Sequence, residues 1–329
     1  MGTSDTTSPQ SASADHTGPD HTGPDHAGSD HTDSADIVGA VVVGVDGSTE
    51  SRRAVEWAAD HAALERRPLV LLHAAPVTGP VSGLWLDQAG IDHVQLREAI
   101  RVEARAHLLA AEIRVQERHP DLPVHTRLVD GDPRSVLHSV GATAALLVVG
   151  SRGRGPVASL LLGSVSAAVA RHAPCPVVVV RDAVVARPGG VVVGVDATPA
   201  SRAAVEFAFR EASLTGRRLI AVHCLFDIEH AEMGHAFFEP RVGDIEEARL
   251  LVSETMAGIV EKFPDVEVEC RYARGPADEM LVRAAAGMDL VVVGAERRGP
   301  IGTALFGSVA GSVLEHAHGS VAVVPLGRR

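Results

Sequence analysis

The chain writes one pattern twice. Val41-Val-Val-Gly-Val-Asp46 returns as Val191-Val-Val-Gly-Val-Asp196, Ser51-Arg52 as Ser201-Arg202, Glu56 as Glu206 and His73 as His223, each at an offset of 150 residues. Farther along, Gly131 and Gly275, Gly150 and Gly294, and Gly163 and Gly307 keep an offset of 144, so the second copy lacks six residues between its second and third strands. A repeat of this length places two similar folding units in series. Their expected bounds are 37–182 and 190–327, joined across 183–189 with Arg187-Pro188-Gly189 and preceded by a separate segment, 1–36.

Within the first copy, short apolar runs alternate with helical spacing. Strands are expected at 40–45, at Leu69 to Leu72, at 124–129, at Leu146 to Val149 and from Val177. Between them, Ala54, Val55, Ala58 and Ala62 recur at helical spacing after a cap at Ser48 or Thr49. Leu96, Ile100, Ala104, Leu108, Ala111 and Val115 mark one face of a helix over about 93–118, and a further helix falls near 134–143. The alternation predicts a doubly wound parallel sheet in each copy. Hydrophobic residues make up 46% of the chain and aromatics only 3%, which suits a Val, Ala and Leu core between parallel strands and covering helices. Residues 76–92 hold Pro76, Gly79, Pro80, Gly83 and Gly90 and read as a loop able to act as a lid.

Charge and cysteine content narrow the function classes. Of the formal charge of −12, seven negative charges sit in residues 1–36, which contain no Lys or Arg, leaving about −5 for the rest. Neither part has the clustered positive charge that a nucleic-acid backbone requires. The first segment repeats Asp-His-Thr-Gly-Pro, with His16, His21, His26 and His31 every five residues. It has too little to bury to fold alone, so a disordered, solvated tail is expected rather than a metal site. Three cysteines without a C-x-x-C pair, in a chain with no signal peptide, point to a reducing cytoplasm, and no apolar stretch is long enough to span a membrane.

The chemistry is concentrated at 145–180. An apolar run stops at Gly150, a loop carries Gly153 and Gly155, and Gly163-Ser164 opens an Ala/Val-rich helical segment before the run at Val177. Glycines let main-chain N–H groups come close to an oxyanion, and a helix start adds free amides and the positive end of the dipole. The spacing Gly150-x2-Gly153-x9-Gly163-Ser164 resembles the nucleotide-binding signature of the universal stress protein family, in the subset that binds ATP, and the resemblance extends over nearly all of 37–326.

The resemblance implies two tandem five-stranded domains of the Rossmann or flavodoxin-like kind, closed as an internal pseudo-dimer in which Val177 to Val180 pairs with Val321 to Val324. A homodimer of whole chains and an unidentified protein partner remain open. It also implies an adenine nucleotide, ATP with or without Mg2+, as the ligand. Gly44 and Asp46 would line its pocket, with Asp46 near the ribose. Ala74 would meet the adenine through its backbone, and Asp130-Gly131 would close one side. Gly150, Gly153, Gly163 and Ser164 would hold the phosphates, assisted by the Val165 N–H and the Ser166 hydroxyl, with Arg152 and Arg154 screening charge. Asp46 is equally well read as an Asx turn or helix cap, and His73 as a packed strand-end histidine.

The second copy has Arg297 where the first has Gly153, and Glu296 beside it, so its site is expected to bind more weakly, to accept a smaller ligand or to be empty. The function implied is a nucleotide-dependent regulator in stress response. Enzymes of this fold that cleave or transfer from ATP need further parts, a Ser-Gly-Gly loop after strand one or a His-x-x-His element near the phosphates. Here the turn is Asp46-Gly47-Ser48-Thr49 and no His pair lies by Gly150, so at most slow hydrolysis is expected. A nucleotide-independent interaction scaffold is the other alternative, better suited to the second copy.

Overall fold

The computed structural model describes residues 34–76, 92–153, 162–182, 189–196, 199–225, 242–295 and 307–325. The His/Asp tail through Asp33, the lid segment 77–91, Arg154 and Gly155, the connection 183–188, and the second-copy loop with Glu296 and Arg297 lie outside the described residues.

The first half runs β1 (Val41–Gly44), α1 (Thr49–Glu65), β2 (Leu69–Ala75), α2 (His93–Arg118), β3 (Val124–Asp130), α3 (Pro133–Val140), β4 (Leu146–Gly150), α4 (Ser164–His172) and β5 (Val177–Val180). The second half repeats it as β6 (Val191–Gly194), α5 (Pro199–Thr215), β7 (Leu219–Leu225), α6 (Val242–Met256), α7 (Ile259–Lys262), β8 (Val268–Arg274), α8 (Ala277–Ala284), β9 (Leu290–Ala295), α9 (Ser308–His316) and β10 (Ser320–Pro325). The ten strands form one sheet in the order β3-β2-β1-β4-β5-β10-β9-β6-β7-β8. Every pairing is parallel except that of β5 with β10, where Val177, Val178 and Val179 oppose Val323, Ala322 and Val321. The expected closure of the two valine edges is therefore formed.

Alternation along the strands divides the core in two. Val41, Val43, Leu69, Leu71, Leu146 and Val148 face a layer made by α1 and α2, continued in the second half by α5 and α6. Val42, Val70, Leu72, Leu147 and Val149 face α3 and α4, continued by α8 and α9. Strands buried on both sides must be apolar at every position, which is why these runs carry no polar interruption. Both core clusters contain residues of both halves.

Helix ends follow local rules. α1 is capped by Ser48, whose Oγ accepts from the Ser51 N–H at 3.1 Å, and it ends at Arg66 in the left-handed region (φ 53°), where the second half places Gly216 (φ 62°). The folded part starts slightly ahead of the expected tail boundary. Ser34–Ile37 make a 3-10 turn, and the Asp36 carboxylate meets the Arg127 guanidinium at 2.5 Å. Among the described residues, no helix is long and apolar enough to cross a membrane.

Candidate functional site

In the first half the strand order reverses direction around β1 and β4, so the loops leaving their carboxyl ends diverge to opposite faces and leave a crevice. A cavity of about 760 Å³ lies there, within the range of small-ligand pockets. It is lined by Gly44, Asp46, Ala74, Gly150, Arg152, Gly153, Gly163, Ser164, Val165 and Ser166, so of the expected site residues that are described, all but Asp130 and Gly131 come to one place.

The β1 end is tightly knit. Asp46 Oδ1 accepts from the Ser48 N–H at 2.9 Å and from the Ser48 hydroxyl at 2.6 Å. The Ser51 hydroxyl donates to the Gly44 carbonyl at 3.3 Å and accepts from the Asp46 N–H at 3.1 Å. Asp46 is thus an Asx turn that also lines the cavity. One carboxylate oxygen serves the turn, while Oδ2 lies beside Gly153, where a Cβ would come within 2.6 Å of it. Gly47 has a φ of 80°, and a Cβ there would lie 2.4 Å from the ring of His107 on α2.

The β4 end is built differently. A Cβ on Gly150 would lie 2.7 Å from the backbone of Glu50 in the first turn of α1, so this glycine is required by helix-to-strand packing. The Gly163 N–H donates to the Ser151 carbonyl at 2.7 Å, which ties the two ends of the glycine loop together. α4 then begins with Gly163 as its N-cap, a residue with no side chain to satisfy the first-turn amides. The first intrahelical bond is from the Ala167 N–H to the Gly163 carbonyl at 2.9 Å, so the amides of Ser164, Val165 and Ser166 have no acceptor within the helix.

Two expectations change. The Ser166 hydroxyl is buried and donates to the Gly150 carbonyl at 2.6 Å, locking α4 to β4 instead of pointing to a ligand. Gly131 is a chain-turning residue: its N–H donates to the Ala75 carbonyl at 2.7 Å, and a Cβ would meet Val136 at 2.9 Å.

Three charged or titratable residues join the site without having been anticipated. Glu50 lines the cavity and faces Arg152 at 3.7 Å, with the Arg152 side chain nearly half exposed. His107 and Glu103, 3.4 Å apart on α2, form part of the wall, and the His107 ring stacks on that of His73 with centroids 6.3 Å apart. A signal for His107 is present in the sequence: Ile100, Ala104 and His107 share one helical face, and the first two were already read as inward. Glu50 carries no such periodic mark. Among the described residues, no group of three or more His, Cys, Asp or Glu side chains could hold a metal ion.

The family model described as "Universal stress protein family" matches residues 38–181 and again 190–325. Universal stress protein Rv2005c of Mycobacterium tuberculosis is 37% identical over 296 residues, covering 86% of this chain and 96% of its own length. A universal stress protein of Mycolicibacterium smegmatis is 36% identical over 292 residues with the same coverage. Among solved structures, a universal stress protein from Archaeoglobus fulgidus superposes with a TM-score of 0.59 at 19% identity, over 87% of this chain and 98% of that one. A doubled α/β unit, two successive matches to one family and relatives of nearly full length agree, and the chain belongs to the universal stress protein family.

Proposed function

We propose that the first-half cavity binds ATP and that its occupancy makes the chain a nucleotide-dependent regulator in stress response. The observation that carries this reading is the start of α4. Three successive residues whose amides lack intrahelical acceptors line a cavity of about 760 Å³, behind a glycine that cannot cap them. Such an arrangement is matched to a phosphate oxyanion, which takes several N–H donors and the positive end of the helix dipole together. Each hydrogen bond to a charged group contributes about 1.5–3 kcal/mol, so a few of them outweigh the unfavourable proximity of Glu50.

In this reading Gly153, Gly163, Ser164 and Val165 hold the phosphates through the main chain, and Arg152 turns from Glu50 toward them. Asp46 takes the sugar with its Oδ2, and Ala74 takes the base at the end of β2, beside His73. Mg2+, where present, arrives on the nucleotide, with Asp46 and Glu50 as the nearby carboxylates.

Mass analysis of the small molecule released on denaturing freshly purified protein tests the reading. ATP is expected at about one equivalent per chain. In the variant Gly153→Leu, whose side chain would grow into the Asp46 carboxylate, binding measured by calorimetry is expected to fall at least about a hundredfold, corresponding to the loss of about 3 kcal/mol of charged hydrogen bonding. Undiminished binding in that variant would place the nucleotide elsewhere.

A further inference from the structure

The two halves meet around a pseudo-twofold axis whose position is set by the strand register. Val178 opposes Ala322, and these are equivalent residues of the two copies at the 144 offset. Residues near such an axis face their own counterparts. Among the described residues, two charged or titratable pairs do so, one on each face of the sheet, and neither pair consists of like residues.

On the α1 and α5 face, His61 Nδ1 lies 3.4 Å from a carboxylate oxygen of Glu211. These positions are equivalent at the 150 offset, and both side chains are almost fully buried. Trp57 stacks on the His61 ring at 4.8 Å, and Glu65 approaches its other nitrogen at 3.7 Å. Arg67 pairs with Glu65 at 2.8 Å, and Arg210 supplies the remaining charge nearby. Burial pulls His61 down to about 4, only partly opposed by Glu65. Burial and then the charge of Glu65 push Glu211 up to about 8. Burial thus works against the charged form of each side chain, and the 3.4 Å contact sets an imidazole nitrogen against a carboxyl oxygen, a mixed pair able to share one buried hydrogen bond.

On the α4 and α9 face, the Arg171 guanidinium donates to the Glu315 carboxylate at 3.1 Å, again between equivalent positions, at the 144 offset. A third contact is one-sided. The Arg181 guanidinium donates to the carbonyls of Ala317 and Leu314 at the end of α9, whereas the counterpart of Arg181 is Pro325, which has no side-chain donor.

We propose that this junction is a heterotypic interface keyed by its two unlike polar pairs. The first half fits the second and disfavours a second copy of itself, so the junction takes one half of each kind and not two alike. Pairing first halves by the same geometry would set His61 against His61 and Arg171 against Arg171. Pairing second halves would bury Glu211 against Glu211 and set Glu315 against Glu315. Duplication within one chain lets the two sides of the axis diverge, which the identical subunits of a homodimer cannot do.

Single substitutions in the intact chain recreate each disfavoured junction. His61→Glu places two carboxyl groups on the axis and Glu211→His two imidazoles, while the exchange His61→Glu with Glu211→His restores a mixed pair in reverse. Urea unfolding at pH 7 is expected to show the folding constant reduced at least about tenfold by each single change, with most of the loss regained in the exchange. The exposed pair gives the same pattern on a smaller scale. Arg171→Glu or Glu315→Arg costs about twofold to fivefold, and the reciprocal exchange returns to within about twofold of the parent. Because the second pair is exposed, it decides the matter even where His61→Glu fails to fold. Exchanges no more stable than the product of their single effects would overturn the proposal.

Discussion

Helices α1 and α4 start at the ends of the neighbouring strands β1 and β4, and their first turns are completed in opposite ways. The α1 start closes on itself: Ser48 caps Ser51, Asp46 holds Ser48, and Ser51 holds the end of β1. The α4 start has only Gly163 as its cap, and its three leading amides border the cavity. Two helix starts of similar geometry thus separate into one that contributes to folding and one that is available to bind. The difference rests on the presence or absence of a single hydroxyl-bearing side chain at the cap.

The comparison can be broken at the point where the two starts touch. Gly150→Val would drive a side chain into the Glu50 backbone, with core elements on both sides, and is expected to cost about 1–3 kcal/mol in urea unfolding. An unchanged midpoint would mean that α1 is free to withdraw from β4. Gly163→Asp sharpens the contrast by giving α4 the cap it lacks. Gly163 already has cap-like dihedrals, and a Cβ there meets nothing closer than 3.4 Å. Thermal unfolding should improve by a few tenths of a kcal/mol while ATP affinity falls about tenfold, near 1.4 kcal/mol. If capping leaves affinity intact, the α4 amides are not the donors to the phosphates. Smallest in its effect on binding is Ser48→Ala, expected to cost about 1 kcal/mol of stability and to shift ATP affinity by no more than about threefold.

Much of this frame was legible in the sequence. A strand buried on both faces has to be continuously apolar, so Val41 to Gly44 and Leu146 to Gly150 identify themselves. The 150 and 144 offsets locate their partners in the second half. The cap at Ser48 and the glycine loop were legible for the same reason, because local backbone geometry selects their residue types. What the sequence concealed depends on contacts between distant elements. That Gly150 also has a packing reason, the backbone of Glu50 against it, shows only in three dimensions. The Ser166 hydroxyl reads as a ligand donor until the Gly150 carbonyl takes it. Glu50 enters the site only because α1 packs across β4. The match of His61 to Glu211 is invisible until the register of β5 on β10 fixes the axis.

The junction between the halves also settles where this molecule is sticky. β5 and β10 are almost wholly apolar, and each hides the other's unpaired main chain. The rims left open to solvent are β3 and β8, partly exposed strands that carry Arg127 bound to Asp36 and Arg271 bound to Glu269. A free valine ribbon is the kind of template on which strands accrete, whereas a rim studded with ion pairs is a poor one. Gene duplication has in effect turned the hazardous border on itself, and an eleventh strand would meet salt-bridged hems at β3 and β8.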